Sequence, residues 1–103
     1  MFFVIEASYV EDNAALWARH VDDHIAYLKE KLPVILAAGG LPGLKNGETV
    51  GALYIVEMES EVLARAFIEA DPFARAGLFA SIAIKPWRRS FFDGKYLAGV
   101  QQD

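Results

Sequence analysis

The stretch GALYIVEMESEVLARAFIEADPFARAGLFASIAIKP, Gly51 to Pro86, carries the reading on which the fold rests. Gly51 to Met58 has the composition of a strand, apolar on both faces. Ser60 is a good N-cap for a helix whose expected buried stripe is Leu63, Ala66, Phe67 and Ala70. That helix ends on an acidic residue, Asp71, although a carboxylate is poorly placed at the negative pole of a helix macrodipole. Pro72 biases Asp71 away from helical geometry, so the helix stops there. Pro72 to Gly77 makes at most one further turn, and Leu78 to Pro86 reads as another strand.

Working outward, Phe2 to Val10 alternates as a strand, with Phe3, Ile5, Ala7 and Tyr9 on one face and Phe2, Val4, Glu6 and Ser8 on the other. Glu11-Asp12-Asn13 supplies N-cap candidates and early acidic residues. From about Ala14 to Leu32, a helical stripe runs through Ala14, Trp17, Val21, Ile25, Leu28 and Leu32, and Pro33 closes it. Val34 to Gly43 is expected as a short buried strand, with Gly39-Gly40 at a turn or bulge. Leu44 to Glu48, containing Asn46-Gly47, reads as a hairpin connection. The order is β-α-β-β-α-β, an α+β, ferredoxin-like sandwich with a four-stranded antiparallel sheet. Residues 1–103 form a single domain, with its core at about 2–87 and a C-terminal tail at 88–103.

Two helices cover only one face of such a sheet. Strands one, three and four nevertheless carry apolar residues on both faces: Phe2 and Val4 opposite Phe3 and Ile5, Tyr54 and Val56 opposite Leu53 and Ile55, and Phe79 and Ala83 opposite Ile82 and Ile84. A second copy packed on the open face hides that patch, so a two-fold homodimer is expected.

Composition excludes several functions. No apolar run approaches the ~20 residues that span a bilayer, and the start MFFVIEASYV reads as a strand, not a signal peptide. The chain has no cysteine, which removes disulfides and thiolate chemistry and fits a cytoplasmic protein. The net charge of −4 makes nucleic acid a poor partner. The one basic cluster, Lys85, Arg88 and Arg89, reads as a solvated strand end. The glycines lack the spacings of phosphate or dinucleotide loops, and no cofactor is expected. Phe91, Phe92 and Tyr96 read as packing for the tail.

Chemistry centres on the only two histidines. His20 and His24 are neighbours on the first helix, with His24 about 60° from the centre of the apolar stripe and His20 about 100° from it. A metal site on HVDDH is disfavoured: the zincin pattern requires Glu where Val21 stands, and no third ligand is evident. The alternative pairs His24 with a carboxylate that orients its ring, and Asp71 is the candidate. The plainer reading of Asp71 is an Ncap ahead of Pro72 at N1. The two roles coexist if one carboxylate oxygen caps while the other meets the imidazole. Glu6 and Ser8 either touch water at the edge of the interface or line a cavity between two sheets.

The segments FFVIEASYV, DHIAYLKE, ILAAGGL and VGALYIVE, and above all EADPFARAGLFASIAIKPWRRSF, resemble the YCII-related (YciI-like) proteins from Phe2 to about Phe92. The resemblance implies a ferredoxin-like fold that dimerises into an α+β barrel. It also implies a His-Asp active site at His24 and Asp71. Some relatives are dehydrochlorinases acting on chlorinated hydroxyquinols. The expected function is a small, cofactor-independent lyase or isomerase acting on a small organic ligand. The alternative is a non-catalytic dimeric binding or accessory module in which His24 and Asp71 hold two helices together.

Overall fold

The alternation at the N-terminus does form the strand expected of it, β1 (Phe2–Tyr9). In the computed structural model, which describes residues 1–45 and 47–97, β1 is followed by α1 (Ala14–Glu30), a 3-10 turn (Leu32–Val34), β2 (Ile35–Pro42), β3 (Thr49–Glu57) and α2 (Glu61–Glu69). The chain then forms α3 (Pro72–Arg75) and β4 (Phe79–Trp87), and a small hairpin of β5 (Phe91–Phe92) and β6 (Lys95–Tyr96). The four long strands lie in the order β2-β3-β1-β4, each pair antiparallel. This is the split βαβ, α+β arrangement that the sequence indicates.

Strand parity places the core. Phe3, Ile5 and Ala7 of β1 share a face with Ala52, Tyr54 and Val56 of β3, and Ala64, Phe67 and Ile68 of α2 close over them. Each large side chain buried there contributes about 1.5–3 kcal/mol. Gly51 allows the two central strands to meet, because a Cβ at that position would lie 2.5 Å from the Ala7 carbonyl oxygen. Ser60 caps α2 as expected, its hydroxyl accepting from the Leu63 N–H at 3.2 Å.

Several expectations are corrected. The buried stripe of α2 is Ala64, Phe67 and Ile68, while Leu63 is exposed, so the helix docks along a row that shares only Phe67 with the expected one. β2 is a largely exposed edge strand rather than a buried one, and Gly39 and Gly40 sit inside it rather than at a turn. Its register shifts fall instead between Ile35 and Ala37 and between Leu41 and Pro42. Asn46 of the expected Asn46-Gly47 turn lies outside the described residues, as does the tail beyond Leu97.

The stripe of α1 is not buried either. No residue of α1 is fully buried, and Trp17, Ile25 and Leu32 are exposed. The helix packs on α3, and of its stripe Leu28 reaches the core while Trp17, Val21 and Ile25, with Leu28, wall a cleft above the sheet. At the other end of the sheet, Arg89 is not a solvated strand-end charge. Its guanidinium lies over the rings of Phe2, at 4.6 Å, and Phe92, at 5.6 Å, which ties the terminal hairpin to β1.

The second face of the sheet carries Val4 opposite Ile55 and Lys85, Glu6 opposite Leu53 and Ala83, and Ser8 opposite Gly51 and Ser81. Among the described residues no helix covers it, since the helical layer lies on the Phe3–Ile5–Tyr54 side.

Candidate active site

Asp71 and His24 come together across the helical layer. The His24 Nδ1 lies 2.9 Å from Oδ1 and 2.8 Å from Oδ2 of Asp71. Asp71 is completely buried, whereas the His24 side chain keeps 13% of its surface exposed. The Asp-Pro junction explains the placement of the carboxylate. Asp71 is extended, with φ −62° and ψ 134°, as a residue before proline prefers, and it ends α2 while capping α3. Its Oδ1 accepts the Phe73 N–H at 2.8 Å. Both sequence readings of Asp71 therefore hold as geometry: it is a cap and it is the partner of the histidine.

Aromatic rings fix the imidazole. Phe73 stacks on it at 4.0 Å between centroids and 12° between planes, and Tyr54 meets it edge-on at 6.5 Å. The cap thus sets two contacts with one turn of helix, since the residue whose N–H is capped also supplies the stacking ring. A carboxylate only accepts, so Nδ1 is the donor in this pair, and in a neutral ring the other nitrogen, Nε2, keeps its lone pair.

His24 lines a cleft of about 270 Å³ together with Tyr9, Trp17, Thr49, Tyr54 and Phe73, floored by Ala38, Gly40 and Ala52. Tyr54 is 1% exposed, and its hydroxyl is buried without a hydrogen-bond partner among the described residues. Burial, and after it the charge of Asp71, push the Tyr54 phenol well above its ordinary range. Tyr9 is raised for the same two reasons, burial first. Both phenols therefore stay protonated and can act as hydrogen-bond donors. By contrast, the Tyr27 hydroxyl donates to the Phe67 carbonyl oxygen at 2.6 Å and so satisfies one of the free carbonyls at the end of α2.

Tyr9, Tyr54, Phe73 and Trp17 were not singled out as site residues by the sequence reading. Parity puts Tyr9 on the face of Ile5, but nothing in the sequence marks the hydroxyl of Tyr54 as unpartnered. Glu6 and Ser8 are exposed on the opposite face of the sheet, away from His24. His20 is half-buried and borders a separate hollow with Asp23, Pro72 and Arg75. Among the described residues, no group of three metal-ligating side chains converges.

The family model of the YCII-related domain matches residues 1–88. The chain belongs to this family. As a YCII-related chain it is 31% identical over 62 residues to Protein YciI of Escherichia coli O6:H1 and, equally, to Protein YciI of Shigella flexneri. Those alignments cover 55% of this chain and 63% of the relatives, so the chain spans less than two thirds of the curated proteins it matches. Among solved structures, it superposes on 5-chloro-2-hydroxyhydroquinone dehydrochlorinase (TftG) from Burkholderia phenoliruptrix AC1100 with a TM-score of 0.80 and 29% identity. That match covers 85% of this chain and 94% of the dehydrochlorinase, whose structure is a complex with 2,5-dihydroxybenzoquinone. The similarity supports the ferredoxin-like α+β fold and is consistent with a protein that handles small molecules.

Proposed function

We propose that this chain is a small cofactor-independent lyase or isomerase in which His24 moves a proton on a ring-shaped organic substrate and Asp71 orients and charge-stabilises the imidazole. The carrying observation is the His24–Asp71 pair at the wall of an aromatic-lined cleft. In an elimination, Nε2 takes a proton from the substrate. The electron pair left behind forms the new double bond, and the leaving group departs with its own bonding pair. Asp71, on the far side of the ring, stabilises the imidazolium that results. General-base assistance of this kind supplies about 10²–10⁴ in rate, which suits a mild elimination or isomerisation.

The similarity to TftG directs the test to chlorinated hydroxyquinols, with chloride release as the readout and 2,5-dihydroxybenzoquinone as a binding probe. The diagnostic variant is His24→Asn, whose side-chain amide can replace the Nδ1–H donor but has no Nε2. Turnover that falls by about two to four orders of magnitude, with probe binding retained, supports the reading. Undiminished turnover in His24→Asn contradicts it.

A second reading, a binding module in which the pair only joins helices, draws on one observation. Asp71 is fully buried and also caps α3, as a structural residue would. Under that reading, His24→Asn binds and folds as the parent does, and neither protein turns over any hydroxyquinol.

The functional unit in this proposal is a homodimer joined through the open sheet face around Val4, Leu53 and Ile55. Sedimentation should give twice the chain mass for the parent and a lighter species for Ile55→Lys. A monomeric parent removes this part of the proposal.

A further inference from the structure

The cleft that holds His24 shares a wall with a second hollow. Trp17 and Thr49 line both, and the outer hollow, of about 410 Å³, is completed by Asp12, Asn13, Ala14 and Glu48. A ligand approaching the cleft from this side passes two exposed carboxylates, Asp12 and Glu48. Among the described residues, no lysine or arginine lines either space. Lys45 borders a third hollow, which Glu48 also lines, and Arg89 is occupied between Phe2 and Phe92.

The interior has the same sign. Asp71 is a buried carboxylate, and its charge contributes to raising the phenols of both Tyr9 and Tyr54 in the cleft wall. Tyr54 is also one of the residues that line the cleft. The Tyr54 hydroxyl is buried and unbonded, an arrangement that native proteins seldom leave unexplained. A phenol is a donor suited to a substrate oxygen, whereas the surrounding charge opposes a carboxylate.

We propose that Asp12 and Glu48 form an electrostatic gate at the mouth of the His24 cleft, which favours uncharged, oxygen-bearing rings over carboxylates of the same size. This inference rests on the small-molecule reading above and adds to it the substrate's charge class and two residues that set it. Two exposed carboxylates on the approach to the cleft are expected to weaken the binding of an anion by about tenfold at low salt. Salt should shrink that penalty, since exposed charges are screened.

The test uses two probes of nearly equal size, 2,5-dihydroxybenzamide and 2,5-dihydroxybenzoate, titrated by NMR into the parent and into Asp12→Asn/Glu48→Gln. The parent is expected to bind the amide about tenfold more tightly than the carboxylate. In the double variant, and at high salt, this ratio should fall towards one. Both substituted residues are exposed, so the melting temperature should not change. Equal affinities in the parent, or an unchanged ratio in the double variant, overturn the gate while leaving the small-molecule reading intact. A parent that binds neither probe overturns both.

Discussion

His24 Nδ1 lies within 2.9 Å of both oxygens of the Asp71 carboxylate, and the Phe73 N–H lies 2.8 Å from one of them. One buried side chain therefore ends a helix, starts the next and holds an imidazole. These duties separate on substitution. Asp71→Ala removes both and should cost about 1–3 kcal/mol in urea denaturation. Asp71→Ser restores a capping oxygen without the reach to His24, and should recover about 0.5–2 kcal/mol of that loss. Equal stabilities for the two variants would mean that the cap contributes nothing.

The two buried-side tyrosines should respond in opposite ways to loss of their hydroxyls. The Tyr54 hydroxyl has no partner, so Tyr54→Phe should be neutral or stabilising by about 1 kcal/mol. The Tyr27 hydroxyl bonds the Phe67 carbonyl oxygen at 2.6 Å, so Tyr27→Phe should lose about 1 kcal/mol. Thermal melts of the two variants beside the parent check both signs.

Alkaline pH provides an independent probe of the same wall. Burial first, and Asp71 second, raise Tyr9, Tyr27 and Tyr54 above the ordinary tyrosine value of 10.0, with Glu30 adding to the rise at Tyr27. Because the folded-state values are raised, their contribution to stability is complete below pH 10 and is lost as the pH climbs above it, where the unfolded chain ionises first. Stability measured by urea should therefore be level below pH 10 and fall above it, and Tyr54→Phe should flatten that fall. A phenolate absorbance titration in which every tyrosine ionises near pH 10 would contradict the burial of this wall.

Much of this arrangement was legible before the structure. The Asp71-Pro72 junction, the Ser60 cap and the alternation of β1 each follow from local backbone chemistry, and together they fix the element order. The position of His24 at the border of its helix stripe was equally local. Packing directions were less legible. Helical periodicity admits both Leu63–Phe67–Ala70 and Ala64–Phe67–Ile68 as the buried row of α2, and only the docking angle on the sheet selects the second. The same limit applies to α1, whose apolar stripe could close on the sheet or wall a cleft. Gly39 and Gly40 suggest a turn or bulge because glycine weakens strands, yet an exposed edge strand accommodates them. Arg89 looked solvated because its partners, Phe2 and Phe92, are assembled from opposite ends of the chain.

The most direct test of the central claim is the tautomer of His24, read from its ring nitrogen shifts in long-range ¹H–¹⁵N spectra of the parent and of Asp71→Asn. With an acceptor-only carboxylate on Nδ1, the neutral parent ring should carry its proton on Nδ1 and present a bare Nε2, and Asp71→Asn should lose that preference. A parent ring protonated on Nε2 and bare on Nδ1 would contradict the account, because His24 could then not accept a proton from a ligand at Nε2.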